Sequence, residues 1–357
     1  MATLNKVFDR AAPVDRRNVA RCAHWFLGML LAVVSTASLA IGPADVSLWS
    51  VLGKLNAGLP ISNLEKIVLL DIRLPRLCMG ICVGAALALS GAVMQGLFRN
   101  PLADPGLVGV GAGAGLGAIS AIVLGGALPV PLLEFLGIYA VPGAAFMGGW
   151  ISTLLLYKVA TRRGHTSVAT MLLAGIALGA LAGAVSGILI YMADDRQLRD
   201  LTFWGLGSLA GASWAKLISA APLILISLVV AFRLGAGLNG LAFGEATALH
   251  IGISVQRLKN ISILTVAAAT GAAVAVSGGI GFIGIVVPHL LRLSIGPNHE
   301  TLLPNAALLG AILLLMADII SRSVIAPAEL PIGIITAVLG APVFLWILLR
   351  RNAMVGF

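Results

Sequence analysis

Charge is what this chain of 357 residues most lacks: only 10% of it is Asp, Glu, Lys or Arg, against about 25% in a soluble globular chain. That shortage excludes an ordinary water-soluble domain. Cysteine is scarce and odd in number, Cys22, Cys78 and Cys82, which argues against a disulfide framework. Cys78 and Cys82 lie one helical turn apart in an apolar run and read as buried hydrophobes. The G-x-x-x-x-G-K-[ST] phosphate loop is missing, since the one Gly-Lys pair, Gly53-Lys54, is followed by Leu55. Neither H-E-x-x-H nor a Cys/His cluster occurs, and the histidines at 24, 165, 250, 289 and 299 are dispersed. That excludes the usual patterns of metal-dependent hydrolysis. Acids avoid the middles of the apolar runs, with Asp318 near an end, so a proton relay has no obvious parts. If such a chain moves a solute, the energy enters from a partner.

What is present is apolar length. The chain is 59% hydrophobic with a mean hydropathy of +1.04, and a membrane span needs about 20 apolar residues. Apolar runs occur at 25–41, 77–98, 105–133, 135–157, 164–193, 217–232, 260–291, 301–317 and 330–349. The run 260–291 is interrupted by Ser277-Gly278-Gly279-Ile280-Gly281 and reads as one full span and one shorter. The expectation is an all-α, polytopic membrane protein of about ten helices, several short or broken, forming one domain over 1–357. A basic start ahead of the first run also suits a signal peptide, but nine further spans favour an uncleaved first helix.

Basic residues set the orientation. With both termini inside, most of the 23 Lys and Arg fall on inner loops and most of the 14 acids fall outside. The formal charge of +9 then reflects anchoring at the inner leaflet, and no basic soluble face exists for a nucleic acid. Residues 1–24 become a cytoplasmic segment. Residues 233–257 become a cytoplasmic island carrying a short helix, Ala242 to His250, stopped by Gly252, with Ser254 capping the next helix. Glu245 falls in the first turn, where the helix dipole favours an acid.

Glycine is abundant, 43 residues. Gly175, Gly179, Gly183 and Gly187 recur every fourth residue and form a smooth stripe, suited to close helix packing or to lining a pore. Asn100-Pro101 and Asp104-Pro105 stop the second span, and Pro288 and Pro331 are expected to break others. Broken spans free backbone groups that must face protein or a water-filled cavity, which suits a transporter. Ile72-Arg73-Leu74-Pro75-Arg76 is expected to open the second span, with Arg322 near the outer end of the ninth. These arginines can snorkel to headgroups, pair with Asp71 and Asp318, or receive carboxylates from an outer partner.

These stretches form a pattern. IRLPR at 72–76, GAALALSGAVMQGLFRNPLADPGLVGVGAGAG at 84–115, LLAGIALGAL at 172–181, RQLRDLTFWGLGSLAG at 196–211, LNGLAFGEATALHIGI at 238–253, GGIGFIGIVVPHLLRL at 278–293, ADIISR at 317–322 and AELPIGIITAVLGAPVFLWILLR at 328–350 resemble the permease subunits of type II ABC importers for haem, ferric siderophores and cobalamin. The resemblance covers nearly the whole chain. It implies a homodimer in the bacterial inner membrane, two ABC ATPase subunits that carry the ATP and Mg, and a periplasmic binding protein. No cofactor on this chain is implied.

Carried over, Gly244, Glu245, Ala248, His250 and Gly252 belong to the helix that couples to the ATPase. Arg73, Arg76 and Arg322 match the pocket that receives the binding protein. His165, Thr166 and Ser167, in the loop between spans four and five, match the cytoplasmic gate. Val286-Val287-Pro288-His289 and Ser277-Gly278-Gly279-Ile280 lean the cargo toward haem or cobalamin and away from a ferric siderophore, and of the two haem is the expectation. An ion-coupled secondary transporter is the alternative of another class, and it requires intramembrane acids or internal repeats that the chain does not offer.

Overall fold

The computed structural model describes residues 16–44, 46–162 and 165–355. Residues 1–15 of the expected cytoplasmic segment, with Arg163 and Gly164 of the expected gate loop, lie outside the described residues. Apolar runs in a lipid-like surrounding must satisfy every backbone N–H and C=O within the segment, so they become helices. In chain order these are α1 (Arg16–Ala40), α2 (Leu48–Asn56), α3 (Asn63–Lys66), α4 (Leu74–Leu97), α5 (Val110–Leu124), α6 (Val130–Leu136), α7 (Ala140–Ala160) and α8 (Val168–Met192). Then follow α9 (Asp195–Leu206), α10 (Trp214–Arg233), α11 (Gly235–Leu241), α12 (Glu245–His250), α13 (Val255–Ser277), α14 (Ile283–Ile295), α15 (His299–Ser323) and α16 (Ile332–Val355). Eight helical stretches among the described residues are long and apolar enough to span a membrane, and two shorter apolar helices, Ile283–Ile295 and Ile332–Trp346, bring the number to the expected ten. The run 260–291 divides where the glycines fall, with residues 278–281 outside any helix.

The second span begins earlier than the arginine motif. Ser62 and Glu65 form a reciprocal capping box that starts the helix at Asn63. A π-helical stretch, Ile67–Arg73, then joins α3 to α4 in one helical stretch of 35 residues. Pro288 also departs from expectation, because it sits inside α14 and does not break it. Proline cannot donate to the carbonyl one turn back, here that of Gly284. The Gln95 side-chain amide donates to that carbonyl at 3.4 Å and so satisfies it. Pro331 lies just before α16, where a missing N–H costs little.

Glycine decides how closely the helices approach. A Cβ on Gly84 would overlap the Gly310 backbone, one on Gly91 the Gly284 backbone, and one on Gly113 the Gly148 carbonyl. So α4 meets α15 and α14, and α5 meets α7, backbone against backbone. The stripe on α8 behaves differently. A Cβ on Gly179, Gly183 or Gly187 would meet nothing within 4 Å. Within one chain that stripe is therefore not the packing surface its spacing suggests.

The helix ends alternate between two sides. Trp214 at the start of α10 donates to Leu70 O, and Arg76 near the start of α4 pairs with Asp318 near the end of α15. At the other side, Gly96 at the end of α4 lies against His299 at the start of α15, and Gly235 lies against Glu300. Short strands β1 (Thr161–Arg162) and β2 (His165–Thr166) pair antiparallel on this second side, a small departure from an all-α chain.

Candidate coupling and docking sites

The 233–257 island is a turn-linked helix pair. The last turn of α11 ends at Leu241, and α12 starts three residues later than its sequence suggests, at Glu245. Gly244 sets that boundary with φ of 106°, a conformation side chains resist. Gly252, at φ of 87°, ends the helix as expected. Ser254 occupies the N-cap position of α13, but its side chain makes no cap hydrogen bond.

Glu245, His250 and Gly252 are exposed, whereas Ala248 is fully buried and anchors α12 to the chain. Ala248 therefore cannot be a surface contact. The groups that protrude are Phe243, Leu249 and Ile251, each more than 60% exposed. A charge-centred reading passes over these three, since an apolar side chain next to apolar spans gives no sequence signal.

The expected gate residues sit beside this island. Thr166 is buried, His165 and Ser167 are exposed, and Ser167 caps α8 by accepting from Thr170 N at 3.3 Å. Two residues of α13 hold the hairpin in place. Gln256 accepts from Thr166 N at 2.9 Å and donates to Thr166 Oγ1 at 2.6 Å. Lys259 Nζ donates to Thr166 O at 3.0 Å and to Glu245 Oε1 at 2.8 Å. By residue type and position Lys259 is one of the inner-loop basic residues and nothing more. Its three-residue offset from Gln256 puts both on one helix face, and that spacing was the available signal.

Arg73, Arg76 and Arg322 come together at the opposite side, and all three are buried. Arg73 donates to the carbonyls of Leu39, Ala40, Ala44 and Val46 at 2.7 to 3.3 Å. Arg76 bonds Asp318 Oδ1 through Nε at 2.9 Å and grips Glu329 with both terminal nitrogens at 2.8 and 2.9 Å. Arg322 donates to Ser38 O and Oγ at 2.8 and 2.9 Å and lies 3.5 Å from Asp318. Asp318 is a partner the sequence offered. Asp71 is exposed, and Glu329, 253 positions from Arg76 in the chain, carried no signal. The one member of the cluster with substantial exposure is Glu329, whose side chain is 26% exposed.

A pocket of ≈ 240 Å³ opens between these two sides, lined by Asp104, Trp204, Thr270 and Phe282 among others. Asp104 caps a short 3-10 turn by accepting from Gly106 N at 2.7 Å. Burial pushes its carboxyl pKa up, and the Gly106 N–H opposes that shift. The Asp104-Pro105 pair ends the second span as expected, and the 3-10 turn it caps packs against α4, α5, α8 and α13.

A helix bundle with no chain of acids across it among the described residues, an apolar knob at one side and an arginine cluster at the other has the build of a transport permease. The FecCD transport family matches residues 30–350, and the chain belongs to that family. Among its relatives, the hemin transport system permease HmuU of Yersinia pestis is 45% identical over 92% of this chain and 95% of that protein. The vitamin B12 import system permease BtuC of Citrobacter koseri is 42% identical over 96% of this chain and 98% of that protein. An inward-facing metal-chelate type ABC transporter superposes with a TM-score of 0.81 at 32% identity, covering 92% of this chain and 99% of that one. The chain is thus a multi-pass membrane permease of the ABC importer type.

Proposed function

We propose that this permease carries haem across the bacterial inner membrane as a homodimer, driven by two separate ATPase subunits and fed by a periplasmic binding protein. The similarity to the hemin permease over 92% of the chain is the observation that carries the cargo reading. In this reading both termini and the 233–257 island are cytoplasmic, as the basic residues suggest. Phe243, Leu249 and Ile251 supply the apolar contact that an ATPase groove needs, with Glu245, His250 and Gly252 around them. The open stripe of Gly179, Gly183 and Gly187 faces the second subunit or the path between subunits. Haem import is tested by reconstituting the whole complex in proteoliposomes and offering haem, a ferric siderophore and cobalamin in parallel. ATP-dependent accumulation of haem is expected. Accumulation of cobalamin in its place overturns the cargo, and the similarity to vitamin B12 permeases makes that the informative rival.

Docking of the binding protein at Arg73, Arg76 and Arg322 takes a specific form here. Arg73 and Arg322 are occupied by carbonyl and hydroxyl oxygens, so an incoming carboxylate meets Arg76 by displacing Glu329. Glu329→Gln removes the competing charge. Its expected effect is binding-protein association tighter by roughly tenfold, the worth of one charge-assisted hydrogen bond. Titration of the binding protein onto the permease in nanodiscs reads this directly. Unchanged or weaker association rejects the exchange.

A further inference from the structure

We infer that Lys259 is the joint through which movement of the coupling helix reaches the gate hairpin. The inference rests on the importer reading above and names a positioning residue for it. Lys259 is 4% exposed and lies in the first two turns of α13. Its ammonium has donors for several acceptors, and two are occupied by different elements: Glu245 at the first position of α12 and the backbone carbonyl of Thr166 in β2. Among the described residues these are the hydrogen bonds by which Lys259 binds both. Glu245 is half exposed at the tip that a partner would push, whereas Thr166 is buried. A displacement of α12 therefore pulls on a group whose other bond holds the hairpin.

Gln256 makes the joint stiff at the hairpin end. It closes a two-point clasp on Thr166 N and Oγ1 and is itself braced by Asn260 at 2.7 Å. Thr161 Oγ1, 2.9 Å from Thr166 Oγ1, extends the clasp to the opposite strand. Clasp and ion pair share the start of α13, so the hairpin and α12 are held by one helix face. Coupling in proteins is carried by such contiguous networks when the linked element has two arrangements.

The complete importer, permease with ATPase and binding protein, is reconstituted in proteoliposomes, and haem transported per ATP hydrolysed is measured. Amide exchange of peptides covering Thr166 is followed with and without a non-hydrolysable ATP analogue. In Lys259→Met the apolar stem remains but the shared donor is lost. Haem per ATP is expected to fall by about tenfold, as losing a charge-assisted bond allows. ATP hydrolysis continues, and the nucleotide-dependent exchange at Thr166 disappears.

Lys259→Arg keeps a donor in place and retains most of the coupling. The double exchange Lys259→Glu with Glu245→Lys restores opposite charges but turns an acceptor toward the Thr166 carbonyl, so it stays uncoupled. A wild-type ratio in Lys259→Met or in the double exchange overturns the inference. If Lys259→Met does not assemble, Glu245→Ala releases the coupling-helix end of the same joint while Lys259 stays in place, and a wild-type ratio there also overturns it. A wild-type complex without ATP-dependent haem uptake rejects the proposed cargo instead, while the exchange response at Thr166 still reports on the joint.

Discussion

Asp318→Asn is expected to destabilise the folded permease by about 3–5 kcal/mol, the cost of leaving buried charge without its partner. Asp318 is fully buried and stands between two buried guanidiniums, Arg76 at 2.8 Å and Arg322 at 3.5 Å. Asparagine has nearly the same shape, so the loss is electrostatic and leaves no cavity. Glu329 continues to hold Arg76 from the surface side, but among the described residues Arg322 is left with Ser38. Because α1, α4, α15 and the segment before α16 all meet at this cluster, its loss loosens four parts of the chain together. Thermal unfolding in detergent measures the effect, with Asp71→Asn at the neighbouring exposed acid as the control. The control should stay within about 0.5 kcal/mol, as surface changes usually do. Equal shifts for the two variants would mean that the buried cluster contributes no more than surface charge.

Gly91→Ala is the second large effect, and its sign is opposite to what helix propensity gives. Alanine in place of glycine within a helix gains roughly 1 kcal/mol from backbone entropy alone. At position 91 the new methyl would overlap the carbonyl, carbon and Cα of Gly284, all backbone atoms that no rotamer change can move aside. The helices α4 and α14 must separate, and Gln95 loses its reach to the Gly284 carbonyl that Pro288 leaves unpaired. Overpacking costs about 1–3 kcal/mol and occasionally more, and an overlap with fixed backbone atoms falls at the upper end of that range. Gly115→Ala on α5 is the matched comparison, since a Cβ there meets nothing within 4 Å. Melting temperatures in detergent should fall for Gly91→Ala and hold or rise for Gly115→Ala. A rise for both removes the backbone contact as the reason for glycine at position 91.

The two variants also mark where sequence reading reaches its limit. Glycine spacing on α8 suggested a packed stripe, yet Gly179, Gly183 and Gly187 face open space. The tight contacts run through Gly84 and Gly91 on α4, which form no such stripe, and through Gly113, one of the closely spaced glycines at 109–117. Spacing reports which residues share a helix face, and it is silent on what stands opposite. The arginines show the same limit in another form. Side-chain type and position near a span end left snorkelling, ion pairing and docking all open. All three are buried, and Glu329 grips Arg76 with both carboxylate oxygens. A surface partner can then reach Arg76 only by exchange.

Hydropathy by itself determined that this chain crosses a membrane with ten apolar helices, because backbone groups in lipid have no partner except within the helix. It also determined the split of the 260–291 run, the stop at Gly252, and the isolation of a short helix between two spans. Each of these is a local consequence of residue type. Tertiary structure alone decided that Asp318 serves two arginines, that Gln95 covers the carbonyl freed by Pro288, and that Lys259 ties Glu245 to Thr166. Apart from Asp318 and Arg322, one helical turn apart on α15, those pairings join residues 14 to 242 positions apart, and the strength of a hydrogen bond or ion pair depends on distance and burial, which no linear pattern encodes.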